Sequence, residues 1–180
     1  MKHNLEIEYK TMLDEPLFEK IKSKLPFDSG VNQRNDYYDT PDRQLYSMGI
    51  MCRIRTVDNR FEFTVKIPQE DGVMEHEVLL ETKTLDHPSV IDFFNRLNLD
   101  VNQLDCIAYS DTQRYTYDDT YGSWCLDASS FENHNDFELE YELHEANEKA
   151  YPHYVDMLNE LNVEYHEAKP KYIRALTSGA

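Results

Sequence analysis

The chain has 180 residues, 40% of them hydrophobic, with 5 glycines, 7 prolines and a formal net charge of −17. This length and composition predict one domain, residues 1–180, with a buried core and no low-complexity linker. The acidic excess argues against a nucleic-acid-binding surface, because a phosphate backbone would be repelled. Five glycines also leave no room for a glycine-rich phosphate loop.

The cysteines and the N-terminal residues indicate the cellular compartment in which the protein is expected. Cys52, Cys106 and Cys125 are widely spaced and form no Cys-x-x-Cys pair, which favours a reducing compartment. Residues 1–4 run straight into a charged strand without an apolar signal segment, and no apolar run is long enough to cross a membrane. We therefore expect a cytoplasmic protein, a monomer or homodimer, with no nucleic-acid or membrane partner.

The opening strand is predicted from about residue 3 to residue 12, and within it residues 5–10 alternate strictly between apolar and charged side chains. Its charged face carries Glu6, Glu8 and Lys10. The next elements in chain order are a helix opened by Asp14 and strands closed by the hairpin signals Asp58-Asn59 and Asp71-Gly72. In full, we predict helices near 14–25, 86–97 and 146–161, and strands near 31–40, 50–57, 60–67, 73–80, 105–117, 123–129 and 137–144. The expected fold is α+β, with a mostly antiparallel sheet of eight strands.

The charged faces of these strands have two interpretations. In the first, each strand buries its apolar face and shows its charges to water, as antiparallel sheets commonly do. In the second, the eight strands close into a barrel, the charged faces line its lumen, and helices cover the apolar faces outside. Segregation by sign within strands favours the second, because Arg53 and Arg55 stand together, as do Glu138, Glu140 and Glu142.

Like charges cannot share a closed lumen without counter-ions. Two of them ~6 to 7 Å apart repel by roughly 2 to 3 kcal/mol at an effective dielectric near 20. Carboxylates would be matched by a hard divalent cation such as Mg²⁺ or Mn²⁺. Arginines and lysines would be matched by a polyanion, with Arg suited to forked contacts on phosphate oxygens. The pattern therefore predicts a metal–polyphosphate site.

The same residues resemble a known family. Glu6-x-Glu8-x-Lys10 is similar to the E-x-E-x-K signature of the CYTH superfamily, the triphosphate tunnel metalloenzymes. The resemblance extends in order to the C-terminus and is nearest to the small, stand-alone bacterial branch often labelled "putative adenylate cyclase". The further matching segments are Tyr37-Tyr38-Asp39-Thr40-Pro41, Arg53-Ile54-Arg55, Lys66, Glu75-x-Glu77, Arg114, Glu138-x-Glu140, and Lys169-Pro170-Lys171-Tyr172 with Arg174.

The resemblance implies an eight-stranded antiparallel tunnel that binds a triphosphate-containing small molecule, and it implies roles for individual residues. Lys10 is the candidate to help deprotonate the attacking water, with its pKa lowered by nearby cations or by Tyr37. The implied metal ligands are Glu6, Glu8, Glu138 and Glu140, for Mg²⁺ or Mn²⁺. The implied phosphate contacts are Arg53, Arg55, Lys66, Arg114 and one of Lys169 or Lys171.

The sequence leaves alternative roles for residues at three places. Asp127 could replace an acid that family members often carry where this chain has Cys125, or could simply accept hydrogen bonds. Glu142 continues the acidic face of its strand but could lie beyond the metals. Lys169 and Lys171 share strand parity, and Lys171 fits the family spacing a little better.

Three functions are compatible with this chemistry. The leading hypothesis is metal-dependent hydrolysis of a triphosphate, with inorganic triphosphate favoured because no base-specific pocket is evident. The first alternative is a class IV-type adenylate cyclase, which would use the same residues with the 3′-hydroxyl of ATP as nucleophile. The second is a non-hydrolytic sensor of polyphosphate or nucleotide.

Overall fold

The computed structural model describes residues 1–179, which form nine strands, five α-helices and one turn of 3-10 helix at Val101–Gln103. The sequence predicts eight strands and three helices, so the structure adds one strand and two α-helices. In chain order the elements are β1 (Lys2–Glu6), β2 (Glu8–Leu13), α1 (Glu15–Lys24), β3 (Val31–Asp39), α2 (Gln44–Ser47), β4 (Met51–Val57), β5 (Arg60–Gln69), β6 (Gly72–Leu80), α3 (Pro88–Arg96), β7 (Asp105–Asp118), β8 (Gly122–Ser130), β9 (Asn135–Leu143), α4 (Ala150–Glu160) and α5 (Lys171–Ser178).

All nine strands belong to one curled antiparallel sheet, in the order β1-β6-β5-β4-β3-β7-β8-β9-β2. Its two edges, β1 and β2, are separated in the chain by Ile7 alone. One continuous stretch therefore pairs with β6 through its first half and with β9 through its second. The Ile7 carbonyl accepts a hydrogen bond from the Leu143 amide at 2.9 Å, which extends the pairing with β9 up to Ile7. The edges β1 and β2 do not pair with each other, so the sheet is a curled half-barrel and not the predicted closed barrel. The predicted eight strands become nine because the first strand changes partner at Ile7.

The apolar faces of the strands lie outside the curled sheet, under the helices, as predicted. Phe63 and Val65 of β5 pack with Val90 and Phe94 of α3, and all four are fully buried. A second cluster packs α1 and α4 on β8 and β9, around the fully buried Trp124. Because side chains alternate along a strand, the charged faces must then point inward.

The short helix α2 follows the Tyr37-Tyr38-Asp39-Thr40-Pro41 segment and is fixed by one buried carboxylate. Asp39 accepts hydrogen bonds from the backbone amides of Thr40, Leu45 and Tyr46, at 2.7, 2.9 and 3.0 Å. This contact satisfies amides that would otherwise lack partners at the start of the helix. The Asp of this segment therefore shapes the loop beside the sheet and does not enter the lumen.

The C-terminal helix α5 is the element that the sequence prediction left without structure. It begins after Pro170, and Tyr172, Ala175 and Leu176 form its buried stripe. These three residues pack with Tyr37 and Phe131, on β3 and after β8. Within residues 1–179, no helix combines the length and the apolar character needed to cross a membrane.

Candidate functional site

A cavity of about 620 Å³ lies inside the curled sheet. Six carboxylates and six basic side chains line it, so its formal charge is near zero although the protein carries −17. Most of the predicted site residues are among them. Those present are Glu6, Glu8, Lys10, Tyr37, Arg53, Arg55, Lys66, Arg114, Glu140 and Lys171, joined by Glu75, Glu77 and Glu142.

The acidic residues of the first strand meet Glu142 of β9. Glu6, Glu8 and Glu142 each place one carboxylate oxygen within 4.8 Å of the others. The pairing of β2 with β9 explains this, because Glu8 stands directly opposite Glu142. Burial and the nearby Glu140 raise the pKa of Glu8 from 4.5 to about 8. Burial and Glu6 also raise the pKa of Glu142. Lys66 lies 2.8 Å from Glu6 and Lys10 lies 3.5 Å from Glu8, but these cations do not offset the rise in the pKa of Glu8. We call these three carboxylates, Glu6, Glu8 and Glu142, the Glu8 group, and their all-oxygen donor set fits Mg²⁺ or Mn²⁺.

The raised pKa of Glu8 predicts how the stability of metal-free protein depends on pH. Between pH 4.5 and about 8 the unfolded chain releases this proton while the folded chain retains it, so folding stability falls as pH rises. Glu8→Gln, which mimics the protonated acid, should not show this fall in folding stability with rising pH. We expect its unfolding temperature in EDTA to exceed that of wild type by ~5 °C at pH 8, with the gap closing towards pH 5. Exposed Glu160→Gln is the control, and a gap that does not change with pH would contradict the argument.

The second acidic group is already neutralised by cations. Asp127, Glu138 and Glu140 also converge within 4.8 Å. Asp127 accepts two hydrogen bonds from Arg114, at 2.7 and 2.8 Å. Despite burial, Arg114 and Lys171 keep the pKa of Asp127 below its usual range. Arg114 and Lys171 likewise outweigh burial and hold the pKa of Glu140 well below its ordinary value. This group therefore has less need of an added cation than the Glu8 group.

Arg174 of α5 completes the neutralisation of the second group. Its guanidinium lies 2.9 Å from Glu138 and 2.8 Å from Asp136. Glu138 is fully buried and, unlike Glu140, is absent from the cavity lining. The sequence pattern included Arg174 but predicted no role for it. Its contacts attach α5 to β9.

The two candidate lysines near the C-terminus differ sharply in position. Lys171, the first residue of α5, lines the cavity and lies 2.7 Å from Asp127 and 3.3 Å from Glu138. Lys169 is exposed and lies outside the cavity lining. The strand parity that linked them in the sequence does not apply, because a helix begins between them.

Replacing these lysines one at a time should separate their contributions. Lys171→Met removes a cation from two buried carboxylates, so we expect stability to fall by ~1 to 3 kcal/mol. Lys169→Met, with the same change in charge, should not change stability measurably. Equal effects of the two variants in thermal melts would contradict this placement.

Arg53 and Arg55 of β4 are the cations without carboxylate partners. Neither makes an ion pair with any residue in the range 1–179, and the buried Nε of Arg53 has no hydrogen-bond partner there. Burial, Arg53 and Arg114 lower the pKa of Arg55 to about 10. Across the ladder, the neutral Tyr37 and Thr64 flank Arg53, whereas Arg55 lies between Asn35 and Glu62 without forming an ion pair with that glutamate. An anion bound beside these two arginines would therefore be stabilised by their positive charge.

Asn35 orients one of these arginines and was missed by the sequence prediction. Its Oδ1 accepts a hydrogen bond from Nε of Arg55 at 2.9 Å, which leaves the two terminal nitrogens of that guanidinium for other partners. Its Nδ2 lies 3.3 Å from the hydroxyl of Tyr37, which is also 3.2 Å from Ser110 Oγ. The signal was available, because Asn35 alternates with Tyr37 on the same face of β3.

The two residues predicted to be catalytic do not touch. Lys10 lies on the cavity wall with Nζ 3.5 Å from Glu8, and it stands opposite Glu140 in the ladder. Tyr37 is buried, its hydroxyl is held by Asn35 and Ser110, and its ring packs on Tyr172. No hydrogen bond within the described part of the chain joins Tyr37 to Lys10, so the predicted action of Tyr37 on Lys10 has no direct contact to support it.

Comparison with known proteins yields one family and close fold relatives. The family model for the CYTH domain matches residues 4–172. "Putative triphosphatase YjbK" of Bacillus subtilis is 28% identical over 182 residues, covering 97% of this chain and 95% of that protein. The crystal structure of a "putative adenylate cyclase" from Bacillus halodurans has a TM-score of 0.87 and 28% identity, covering 97% of this chain and 98% of its own. A Hippeastrum protein, described as a "putative adenylyl cyclase" with dominant triphosphatase activity, has a TM-score of 0.78 at 21% identity, covering 97% and 96%.

Proposed function

The chain belongs to the CYTH domain family, and from this we propose that it hydrolyses a triphosphate inside its tunnel with Mg²⁺ or Mn²⁺ as cofactor. The observation that supports this most is that one cavity holds both arginines without ion pairs and a group of carboxylates that fits a metal ion. Within residues 1–179, Arg53 and Arg55 form no ion pair with a carboxylate and would accept an anion. The Glu8 group has Lys66 at 2.8 Å from Glu6 and Lys10 at 3.5 Å from Glu8, yet the pKa of Glu8 stays raised, so the group would accept a further cation. A metal–triphosphate complex supplies both. The name of the Bacillus subtilis relative is consistent with this reaction.

The charged residues of the cavity divide into two proposed roles. We propose that Glu6, Glu8 and Glu142 hold the cation, with Glu138 and Glu140 acting mainly to position Arg114 and Lys171. A bound divalent cation supplies Lewis-acid polarisation of phosphoryl oxygens. The anion would be bound by five cations of the same cavity, namely Arg53, Arg55, Lys66, Arg114 and Lys171. Lys169, which is exposed, is left out of this set.

The reaction itself requires little covalent chemistry from the protein. Water attacks the terminal phosphorus, the bond from that phosphorus to the bridging oxygen breaks, and orthophosphate and pyrophosphate leave. Catalysis of such a step comes mainly from positioning and charge neutralisation. We propose that the uncharged form of Lys10 accepts the proton of the water, and that Tyr37 holds Asn35 and the wall behind Arg55.

An organic triphosphate is the second candidate substrate, and one feature of the cavity favours it. Apolar and aromatic side chains line part of the wall, among them Tyr46, Ile50, Tyr172 and Ile173. They could pack against a base or another ring attached to the triphosphate. In that case the 3′-hydroxyl of ATP could also act as the nucleophile at the α-phosphorus, which would give cyclic AMP and pyrophosphate.

A product analysis separates these reactions. Purified protein is offered tripolyphosphate, ATP and thiamine triphosphate, each with Mg²⁺ or Mn²⁺, and orthophosphate, pyrophosphate and cyclic AMP are measured. We expect orthophosphate from tripolyphosphate at the highest kcat/KM. Formation of cyclic AMP and pyrophosphate from ATP would show that the reaction is cyclisation and not hydrolysis. Tight binding of every substrate without turnover would instead identify a sensor.

A further inference from the structure

A pair of histidines lies on the outer face of the curled sheet, away from the tunnel. His3 of β1 and His76 of β6 stand directly opposite each other in the antiparallel ladder. Their Nδ1 atoms are 2.6 Å apart, and their ring centroids are 4.6 Å apart at an interplanar angle of 85°. The alternation of each strand places Glu6, Glu75 and the other tunnel residues on the opposite face.

The environment holds one ring and leaves the pair open to solvent. His76 is partly buried and packs on Phe93 of α3, with ring centroids 5.6 Å apart. His3 is exposed. Burial and the neighbouring His3 both lower the pKa of His76, which keeps its ring neutral and its lone pair available. One ring is therefore fixed by packing, and the other can adjust to a ligand that arrives from water.

Two Nδ1 atoms this close can share only a proton or a metal ion. At a metal–nitrogen distance of ~2.0 Å, two ligands at 90° lie ~2.8 Å apart, and two at the tetrahedral angle lie ~3.3 Å apart. The observed 2.6 Å is nearer to the first arrangement. Imidazole ligands at 90° suit a tetragonal ion, and among the divalent first-row metals Cu²⁺ has both that geometry and the highest general affinity.

We propose that His3 and His76 form a second metal site, selective for Cu²⁺ and chemically distinct from the oxygen-lined site in the tunnel. Within residues 1–179 no third His, Cys or carboxylate joins the pair closely enough to complete a three-ligand group, so water fills the remaining positions. The bound ion would link β1 to β6, which is the strand that pairs with β1 at this edge of the sheet. Because Glu6 is the last residue of β1, this link would also fix one carboxylate of the tunnel.

The test is a calorimetric titration of the intact protein with Cu²⁺ in the presence of excess Mg²⁺, with electron paramagnetic resonance to count nitrogen ligands. We expect one tight site with two imidazole nitrogens. His3→Asn and His76→Asn should each weaken binding by ~10-fold or more, as loss of one of two ligands requires. His144→Asn is the matched control, because His144 is exposed and outside the pair. Circular dichroism confirms that each variant is folded.

Several outcomes would overturn the proposal. Full affinity in His76→Asn with loss in His3→Asn would place the ion on His3 and nearby backbone alone. Loss of tight binding in Glu8→Gln would place it in the tunnel, whereas we expect that variant to bind Cu²⁺ as wild type does. Equal weakening by His144→Asn would indicate non-specific histidine binding. A tighter site for Zn²⁺ than for Cu²⁺ would contradict the geometric argument.

Discussion

Turnover of tripolyphosphate should fall by ~10² to 10³ when Glu8 is replaced by Gln, because the cation that stabilises charge in the transition state loses a ligand. Glu8 is the central member of its group, since it lies beside Glu6 in the chain and opposite Glu142 in the ladder. The amide keeps the shape and one acceptor oxygen but removes the negative charge. The measurement is kcat under saturating substrate and metal.

Controls make this result specific to the metal site. Glu160→Gln carries the same chemical change on an exposed position of α4 and should keep wild-type kcat. Added Mg²⁺ should raise the unfolding temperature of wild type but not that of Glu8→Gln, since a cation stabilises only the form that binds it. A variant with unchanged kcat, or with unchanged stabilisation by metal, would contradict the assignment.

Replacing Arg55 or Arg53 with Met should lower kcat/KM for tripolyphosphate by ~10² to 10³, the range found when one donor to a developing charge is removed. Both arginines line the cavity and form no ion pair with a carboxylate within residues 1–179, although Glu62 stands opposite Arg55 in the ladder. Their positive charge is therefore available to an anion in the cavity. Arg55→Met should not lower the melting temperature of ligand-free protein, because it also relieves the repulsion from Arg53 and Arg114.

The control for the arginine series is Arg60→Met. Arg60 begins the next strand, β5, and its side chain is exposed. The same loss of charge there should leave kcat/KM within ~2-fold of wild type, as surface changes usually do. If Arg60→Met and Arg55→Met lowered kcat/KM equally, long-range charge and not a local anion site would explain the effect.

The sequence was sufficient to predict which face of each strand carries charge. Strict alternation in residues 5–10 and in β9, with one sign dominating each later strand, predicted a charged lumen with helices outside. The structure agrees on both points. The same alternation could have identified Asn35, since a buried amide between Arg55 and Tyr37 occupies the lumen parity of β3.

Cross-strand register was beyond the reach of the sequence. The identity of the carboxylates that meet depends on Glu8 standing opposite Glu142, and Asp127 opposite Glu138. A shift of two residues would preserve every facing pattern and yet change both groups. Segregation by sign also looked stronger in the sequence than it is in space. Opposite charges lie across the ladder, as Lys10 does opposite Glu140 and Lys66 opposite Glu75.

Two further features depended on tertiary contacts. Nothing local in residues 5–10 shows that the strand changes partners at Ile7, because its alternation continues unbroken. Helix α5 is short, and its buried stripe is stabilised by packing on Tyr37 and Phe131. That helix determines that Lys171, and not Lys169, reaches the cavity.

The most direct test of a metal-dependent triphosphatase is orthophosphate release from tripolyphosphate by metal-free protein, before and after cation is restored. Protein stripped with EDTA should release no orthophosphate above background, and added Mg²⁺ or Mn²⁺ should restore the full rate. Glu8→Gln should stay near background with either cation, while Glu160→Gln should recover as wild type does. Undiminished orthophosphate release in excess EDTA would contradict the account, because catalysis would then not depend on a cation bound by the Glu8 group.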